Sequence, residues 1–108
     1  MENKRERKPT HPGELIREDL LTDAGLTQSQ LAQSLGVSRK TITDLVNEHR
    51  RVTPDLAFRL ARFFNSTPEM WLNMQQAVDL WETKFVHGPE YERIHPFQHS
   101  LYKELQLI

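Results

Sequence analysis

The sequence predicts an all-α domain of about five helices. Apolar residues recur at helical spacing, a capping residue precedes each apolar stretch, and glycine follows two of these stretches. At 108 residues with 37% hydrophobic and 27% charged residues, the chain is long enough for one domain with a modest core and too short for two. We therefore expect a single globular unit.

The first helix is predicted to begin in the segment Thr10–Glu14, with Pro12 as its first helical residue and Glu14 in its first turn. His11, beside this helix start, is expected to cap the helix or bond locally rather than bind a ligand. Gly25 is expected to end the helix. Its buried face is predicted to comprise Leu15, Ile16, Leu20 and Leu21.

Residues 27–47 predict two short helices joined by a tight turn. Thr27 and Gln30 have the spacing of a capping box, Gly36 supplies the left-handed residue of the turn, and Ser38 caps the second helix. Apolar residues at helical spacing face inward in both helices. This order is typical of a helix-turn-helix, whose second helix enters the major groove of DNA. The residues of that helix expected to face outward are Arg39, Lys40, Thr43 and Asp44.

A polar, basic turn follows the second motif helix. Asn47 lies where the chain would leave the groove, and Arg50 and Arg51 could reach phosphates. A solvated loop without a DNA role is the alternative. Thr53 and Pro54 then predict the start of another helix, on which Arg59 and Arg62 are expected to point outward and which Asn65 could close.

The next helix is predicted to start at Ser66–Glu69 and to end at Gly88–Pro89. It carries more apolar residues than one buried stripe requires, so we expect part of it to pack against another chain. A short last helix could run from His99 to Leu105. These boundaries divide the chain into a flexible basic arm (1–9), a helix-turn-helix domain with a dimerising C-terminal helix (10–87) and a C-terminal extension (88–108).

Charge is unevenly distributed although the net charge is −1. Basic residues concentrate in the arm and in residues 27–64, whereas acidic residues dominate 10–26 and 65–108. This polarity suits an anionic partner at the motif and a basic partner elsewhere, although ordinary solvated faces would explain the acidic segments equally well. The basic arm could either add phosphate contacts or keep the protein in solution.

Several classes of function have no support in the sequence. Cysteine is absent, which excludes disulfides, a thiolate nucleophile and cysteine-bound metals. No signal peptide and no membrane-spanning stretch is present, and a cytoplasmic location is expected. We expect no enzyme, catalytic residue, cofactor or metal, because no phosphate loop or catalytic triad is readable. The alternative of another class, a small nuclease or metal-dependent hydrolase, would use His87, His95 and His99; Pro96 separates the last two, and the alternative predicts tight metal binding and turnover.

The residues that carry this pattern also resemble a known family. Leu26–Asn47 with the capped helix after it resembles the lambda-repressor-like, or xenobiotic-response-element (XRE), helix-turn-helix domains. The opening His11–Leu15 and the run Ser66–Gln75, continuing through Val78–Trp81, resemble the HigA-type antitoxins of bacterial type II toxin–antitoxin modules. The resemblance covers about His11 to Trp81. Met70 departs from it, because family members usually have Phe or another large apolar residue there.

The resemblance implies a five-helix domain that dimerises through its C-terminal part and binds a palindromic operator in its own promoter. It also implies neutralisation of a HigB-type toxin, a RelE-like enzyme that cleaves mRNA and tends to be basic. A stand-alone XRE-family transcriptional regulator of the same fold is the alternative. The DNA-facing residues it implies are Gln28 at a phosphate, Ser38, Arg39, Lys40, Thr43 and Asp44 at base edges, and Asn47 at a phosphate.

Chemistry agrees with two of these roles. Arg39 or Lys40 could read guanine through its two major-groove acceptors. Asp44 could accept a hydrogen bond from a cytosine amino group, or it could simply orient Lys40, which lies four residues earlier on the same helix.

Overall fold

The computed structural model describes residues 7–97, and within that range the chain is all-helical. The expectations for the first residues of the basic arm and for a last helix at His99–Leu105 lie outside the described residues. Five helices follow one another: α1 (Pro12–Leu15, Ile16–Leu20 and Leu21–Ala24, continuous), α2 (Gln28–Leu35), α3 (Arg39–Val46), α4 (Pro54–Phe64) and α5 (Pro68–Glu92). The predicted fold class is therefore confirmed.

The helix boundaries follow the predicted capping chemistry. The hydroxyls of Thr27, Ser38, Thr53 and Thr67 each accept a hydrogen bond from a backbone N–H three residues later. Gly25 and Gly36 close α1 and α2 in the left-handed region, and Asn65 closes α4 at φ 53°. The predicted starts of these helices are confirmed, as are the predicted ends of α1, α2 and α4.

A π-helical turn at Ile16–Leu20 interrupts α1, and the sequence pattern did not predict it. Residues five apart in a regular α-helix point about 140° away from each other. Ile16 and Leu21 are both buried, and the wider turn, in which the Leu21 N–H donates to the Ile16 carbonyl, brings them nearer to the same face. The turn thus lets α1 place both side chains in the core.

One core holds the five helices together. All five helices contribute to it, and its largest fully buried side chain is Trp71 from α5. The indole N–H of Trp71 donates a 2.9 Å hydrogen bond to Ser66 Oγ, which satisfies the polar atom of this buried residue. Trp71, part of the family-specific run in the sequence, is therefore a structural residue.

Gly13 brings α1 into backbone contact with the end of α3. A Cβ atom at this position would lie 1.7 Å from the Leu45 carbonyl oxygen. Because that neighbour is main chain, a side chain could be accommodated only if the two helices moved apart. Gly13, directly after Pro12, is therefore what allows α1 to lie directly on the C-terminal end of α3.

The prediction that Gly88–Pro89 ends the last helix is wrong. α5 runs for 25 residues through both positions to Glu92. Proline within a helix leaves the carbonyl four residues earlier, here Phe85, without its donor. The side chains around this point are exposed, so water can reach the Phe85 carbonyl and the helix continues. No helix in residues 7–97 is long and apolar enough to cross a membrane.

Candidate nucleic-acid interface

The turn between α2 and α3 brings the two helix N-termini into the arrangement that the motif predicts. Gly36 has φ 72°, a conformation that glycine adopts without steric cost. Ser38 Oγ accepts a 3.1 Å hydrogen bond from the Thr41 N–H and lies 2.9 Å from Thr41 Oγ1. Ser38, predicted to face base edges, is thus also the residue that starts α3.

A direct hydrogen bond joins the two helices of the motif on the predicted DNA side. Thr43 Oγ1 of α3 donates to Gln28 Oε1 of α2 over 2.8 Å. Gln28 is the first residue of α2 and Thr43 lies on the second turn of α3. The bond leaves the Gln28 side-chain NH2 group available as a donor, and phosphates accept such hydrogen bonds.

The exposed face of α3 carries two cations in different states. Arg39 is exposed and forms no ion pair with any of the described residues. Lys40 Nζ lies 2.9 Å from Asp44 Oδ2 on the same helix. The Lys40 hydrogen bond holds the pKa of Asp44 below its usual value. The geometry therefore favours the role in which Asp44 orients Lys40, and Arg39 is the cation available to a base edge.

The C-terminal end of α3 is fixed by α1. Glu48 adopts a left-handed conformation at φ 62°, and the His49 N–H donates to the Asp44 carbonyl over 2.8 Å while the Glu48 N–H donates to Leu45. Arg17 Nη1 donates to the Val46 carbonyl and lies 3.4 Å from Glu48 Oε2. This contact explains how a residue other than glycine is held in a conformation that side chains disfavour.

Arg17 makes a second ion pair, with its neighbour on α1. Its Nε donates to Glu18 Oε1 over 2.9 Å, and this hydrogen bond raises the pKa of Arg17. Arginine is charged at any physiological pH with or without this shift, so the charge that Arg17 brings to the end of α3 does not vary with pH.

The loop after α3 is fastened to α5. Gln75 is buried, with 3% of its surface exposed, and its Oε1 accepts a 2.9 Å hydrogen bond from the Val52 N–H. Its amide donates over 3.0 Å to Asp79 Oδ1, and Asp79 Oδ2 pairs with Arg51 Nη1. Arg50 is exposed, as is Asn47 at the end of α3. The two adjacent arginines of the loop thus differ in their surroundings, because Arg51 is ion-paired with Asp79 and Arg50 is simply exposed.

Arg59 is predicted to point outward, but its guanidinium lies against backbone carbonyls at the end of α2. Its Nη1 donates to the Leu35 carbonyl over 2.8 Å and lies 3.5 Å from the Gly36 carbonyl oxygen, while its Nε donates to Asp55. These carbonyls are left without helical partners where α2 ends. Arg59 therefore caps α2, whereas Arg62 is exposed as expected.

His11 is a helix cap, as its position suggested. Its Nδ1 accepts a 2.9 Å hydrogen bond from the Gly13 N–H, and its ring is buried. Burial lowers the pKa of His11, and the nearby carboxylates of Glu48 and Glu82 oppose this effect in part. The ring is consequently neutral at pH 7 and serves the start of α1.

The histidines of the hydrolase hypothesis are dispersed or lie beyond the described range. His87 Nδ1 lies 3.2 Å from Glu90 Oε2, His95 is exposed on the segment after α5, and His99 is not among the described residues. Within residues 7–97 no three His, Asp or Glu side chains are grouped in a way that could hold a metal ion.

Sequence reasoning did not identify the residues that hold the interface in place. These residues are Arg17, Glu48, Gln75 and Asp79. Each takes part in a contact between residues 23 to 31 positions apart in the sequence, or holds a residue that does. Their types are ordinary for solvated helix faces, so no local pattern distinguishes them. The left-handed Glu48 carries no sequence signal either, because glycine or asparagine usually marks that conformation.

Comparisons with known proteins agree with this architecture. The helix-turn-helix family HTH_3 matches residues 16–72. A transcriptional regulator of the same type from Haemophilus influenzae is 46% identical over 76 residues, which are 70% of this chain and 71% of that protein. Antitoxin HigA-1 of Vibrio cholerae is 38% identical over 98 residues, covering 91% of this chain and 92% of its own length.

Two solved structures of antitoxins with DNA are also similar to this chain. One is the Pseudomonas aeruginosa antitoxin HigA with the higBA promoter, at a TM-score of 0.79 and 33% identity, over 82% of this chain and 98% of that one. The other is the antitoxin GraA in complex with its operator, at a TM-score of 0.80 and 34% identity, over 92% of this chain and 99% of that one. The chain therefore belongs to the helix-turn-helix family of XRE type and, within it, to the HigA-type antitoxins.

Proposed function

We propose that this chain is an antitoxin that binds a palindromic operator in its own promoter as a dimer and neutralises a HigB/RelE-like mRNA-cleaving toxin by direct binding. The observation that carries the DNA part is the Gln28–Thr43 hydrogen bond beside Arg39, an exposed cation with no ion pair to any residue that the structure describes. It fixes the start of α2 against the middle of α3. Base and phosphate contacts can then be made by one rigid surface.

The proposed DNA contacts divide into two kinds. Arg39, together with Lys40 oriented by Asp44, would reach base edges in the major groove, where a guanidinium reads guanine through two acceptors. Thr43 would stand beside them. The remaining proposed contacts, to phosphates or at the ends of α3, are Gln28, Ser38, Asn47 and Arg50. Arg51 differs from these residues because it forms an ion pair with Asp79.

Exposed apolar side chains on α5 support the dimer. Leu80, Phe85 and Val86 are 63%, 76% and 65% exposed, and the rings of Trp81 and Phe85 stack at 5.3 Å. Monomeric proteins rarely leave several large apolar residues of one helix in water. A second copy packed against the side of α5 that carries Phe85 would cover part of this apolar surface and place two recognition helices on one palindrome, since palindromic sites match two-fold protein symmetry.

Matched aspartate substitutions test the dimer. Phe85→Asp adds a charge to the exposed face of α5, and we expect a monomer by light scattering together with weaker binding to promoter DNA. Phe58→Asp adds the same charge to α4, where Phe58 is 65% exposed, and should leave the dimer intact. A Phe85→Asp protein that stayed dimeric would refute the assignment of this face.

Co-expression tests the antitoxin function. The chain would be expressed together with the small reading frame that neighbours its gene, and growth and co-purification would be measured. Rescue of growth together with a stable complex would support direct neutralisation. Promoter binding without rescue or complex would favour the stand-alone regulator, a reading that the Haemophilus influenzae relative also supports.

A further inference from the structure

Two adjacent arginines in the loop between α3 and α4 stand in opposite electrostatic situations. Arg50 is exposed and forms no ion pair with the described residues. Arg51 is held by Asp79, whose other carboxylate oxygen accepts the hydrogen bond of the buried Gln75 amide over 3.0 Å. Asp79 is therefore itself fixed in position, so Arg51 faces a rigid anion.

The same glutamine fastens the main chain of the loop. Gln75 Oε1 accepts from the Val52 N–H over 2.9 Å, and both residues are 3% exposed. A buried amide that satisfies both its acceptor and its donor in this way is costly to displace. The loop thus has a side-chain attachment through Arg51 and a main-chain attachment through Val52, both ending on α5.

This pairing opposes the charge that Arg51, whose side chain is itself 67% exposed, offers to DNA. A phosphate near the pair would be attracted by the guanidinium and repelled by the carboxylate at almost the same distance. Arg50 forms no such close pair within the described residues, and the Asp44 carboxylate acts on it only at longer range. The two residues, which look equivalent in the sequence, should therefore differ in how many counterions they displace from DNA.

We infer that Asp79 withholds Arg51 from DNA phosphates, so that Arg50 supplies the phosphate contact of this loop and Arg51 acts as a clamp between the loop and α5. Asp79 is a positioning residue in this view, because it acts on DNA through Arg51. The inference rests on the proposed DNA-binding function. The opposite arrangement, in which Asp79 aims Arg51 at a phosphate, gives a different experimental result.

The salt dependence of binding to a short mixed-sequence DNA duplex tests the inference. Each phosphate contact contributes about 0.9 to the slope of log K against log salt. We expect Arg50→Gln to flatten the slope by about this amount per protomer and Arg51→Gln to leave it unchanged. Asp79→Asn, which keeps an acceptor for Gln75, should steepen the slope by about the same amount because Arg51 becomes available.

Two controls separate this effect from a simple change in net charge. Asp79→Asn in an Arg51→Gln background should no longer steepen the slope. Glu69→Gln removes one negative charge from an exposed position in the first turn of the same helix, and it should leave the slope near that of the unmodified protein. A slope that Arg51→Gln flattens as much as Arg50→Gln does would overturn the inference, as would equal effects of Asp79→Asn and Glu69→Gln.

A DNA-free measurement distinguishes failure of the inference from failure of the proposed function. Thermal unfolding of the single and double variants of Arg51 and Asp79 gives their coupling. Non-additive shifts in Tm would support the clamp, and additive shifts would overturn it. An unmodified protein that bound no DNA in a salt-dependent manner would overturn the proposed function and the withholding role together, while the unfolding cycle would still test the clamp itself.

Discussion

Gln28 and Thr43 join the two helices of the motif through a single hydrogen bond, in which the Thr43 hydroxyl donates to the Gln28 side-chain oxygen over 2.8 Å. The two residues are 15 positions apart in the sequence. Their side chains face each other across the two helices on the proposed DNA side. The bond sets the direction of the Gln28 amide. The Gln28 amide, a proposed DNA contact, is therefore already oriented in the free protein, which lowers the conformational entropy lost on binding.

Replacing Thr43 by Val should weaken binding to promoter DNA, because the Gln28 amide loses the partner that orients it. Valine keeps the shape of threonine but cannot donate. The loss of one partly buried hydrogen bond corresponds to about 0.5–1.5 kcal/mol, and binding titrations would detect it. Thr43→Ser keeps the hydroxyl and should bind nearly normally. Normal binding by Thr43→Val together with a loss in Thr43→Ser would show that the methyl group, and not the bond, matters.

Arg39→Ala should weaken operator binding and relax the preference at one base pair. A guanidinium paired with guanine is worth about 1–3 kcal/mol of discrimination, and Arg39 has no competing ion pair within the described residues. Binding to a set of single-base operator variants would measure both effects. Arg93→Ala removes an equally charged, exposed side chain just after α5 and should change neither. Unchanged operator affinity in Arg39→Ala would refute the placement of α3 in the groove.

The positions that the sequence predicted well are those with a local signal. Capping residues such as Thr27 and Ser38 fix helix starts through bonds to residues three positions away, so the sequence reveals them. The continuation of α5 through Pro89 was missed because it depends on the solvent around the helix and not on the local residues. The clamp of Arg51 by Asp79, 28 residues away, depends on packing between elements that no local pattern specifies.

Gly13→Ala should destabilise the fold severely, because the added methyl group would meet the Leu45 carbonyl oxygen at 1.7 Å. Two packed helices would have to separate, and overpacking of this kind typically costs 1–3 kcal/mol, or more where backbone must move. Thermal unfolding would measure the loss. Gly88→Ala is the matched control, because the nearest side-chain atom to its new Cβ would be Lys84 Cγ at 3.9 Å.

The control is expected to change stability little. Alanine in a helix interior is favoured over glycine by roughly 0.5–1 kcal/mol, but Gly88 precedes Pro89, whose ring disfavours helical backbone in a preceding residue that has a Cβ. A Gly88→Ala protein of nearly unchanged stability, beside a Gly13→Ala protein that unfolds readily, would confirm that close approach to α3 sets the requirement at Gly13. Similar stability in the two variants would contradict it.

Acid should destabilise the protein through His11. Its Nδ1 must be unprotonated to accept from the Gly13 N–H, and burial lowers its pKa from the ordinary value of 6.5. Between its lowered folded pKa and 6.5 the unfolded chain binds the proton more readily, so the free energy of unfolding falls as pH falls through that window. His11→Asn supplies an uncharged cap and should reduce this pH dependence, whereas His87→Asn, at an exposed position, should retain it. Denaturant unfolding between pH 5 and 8 would measure the difference, and identical pH profiles for His11→Asn and the unmodified protein would rule out His11 as the titrating group.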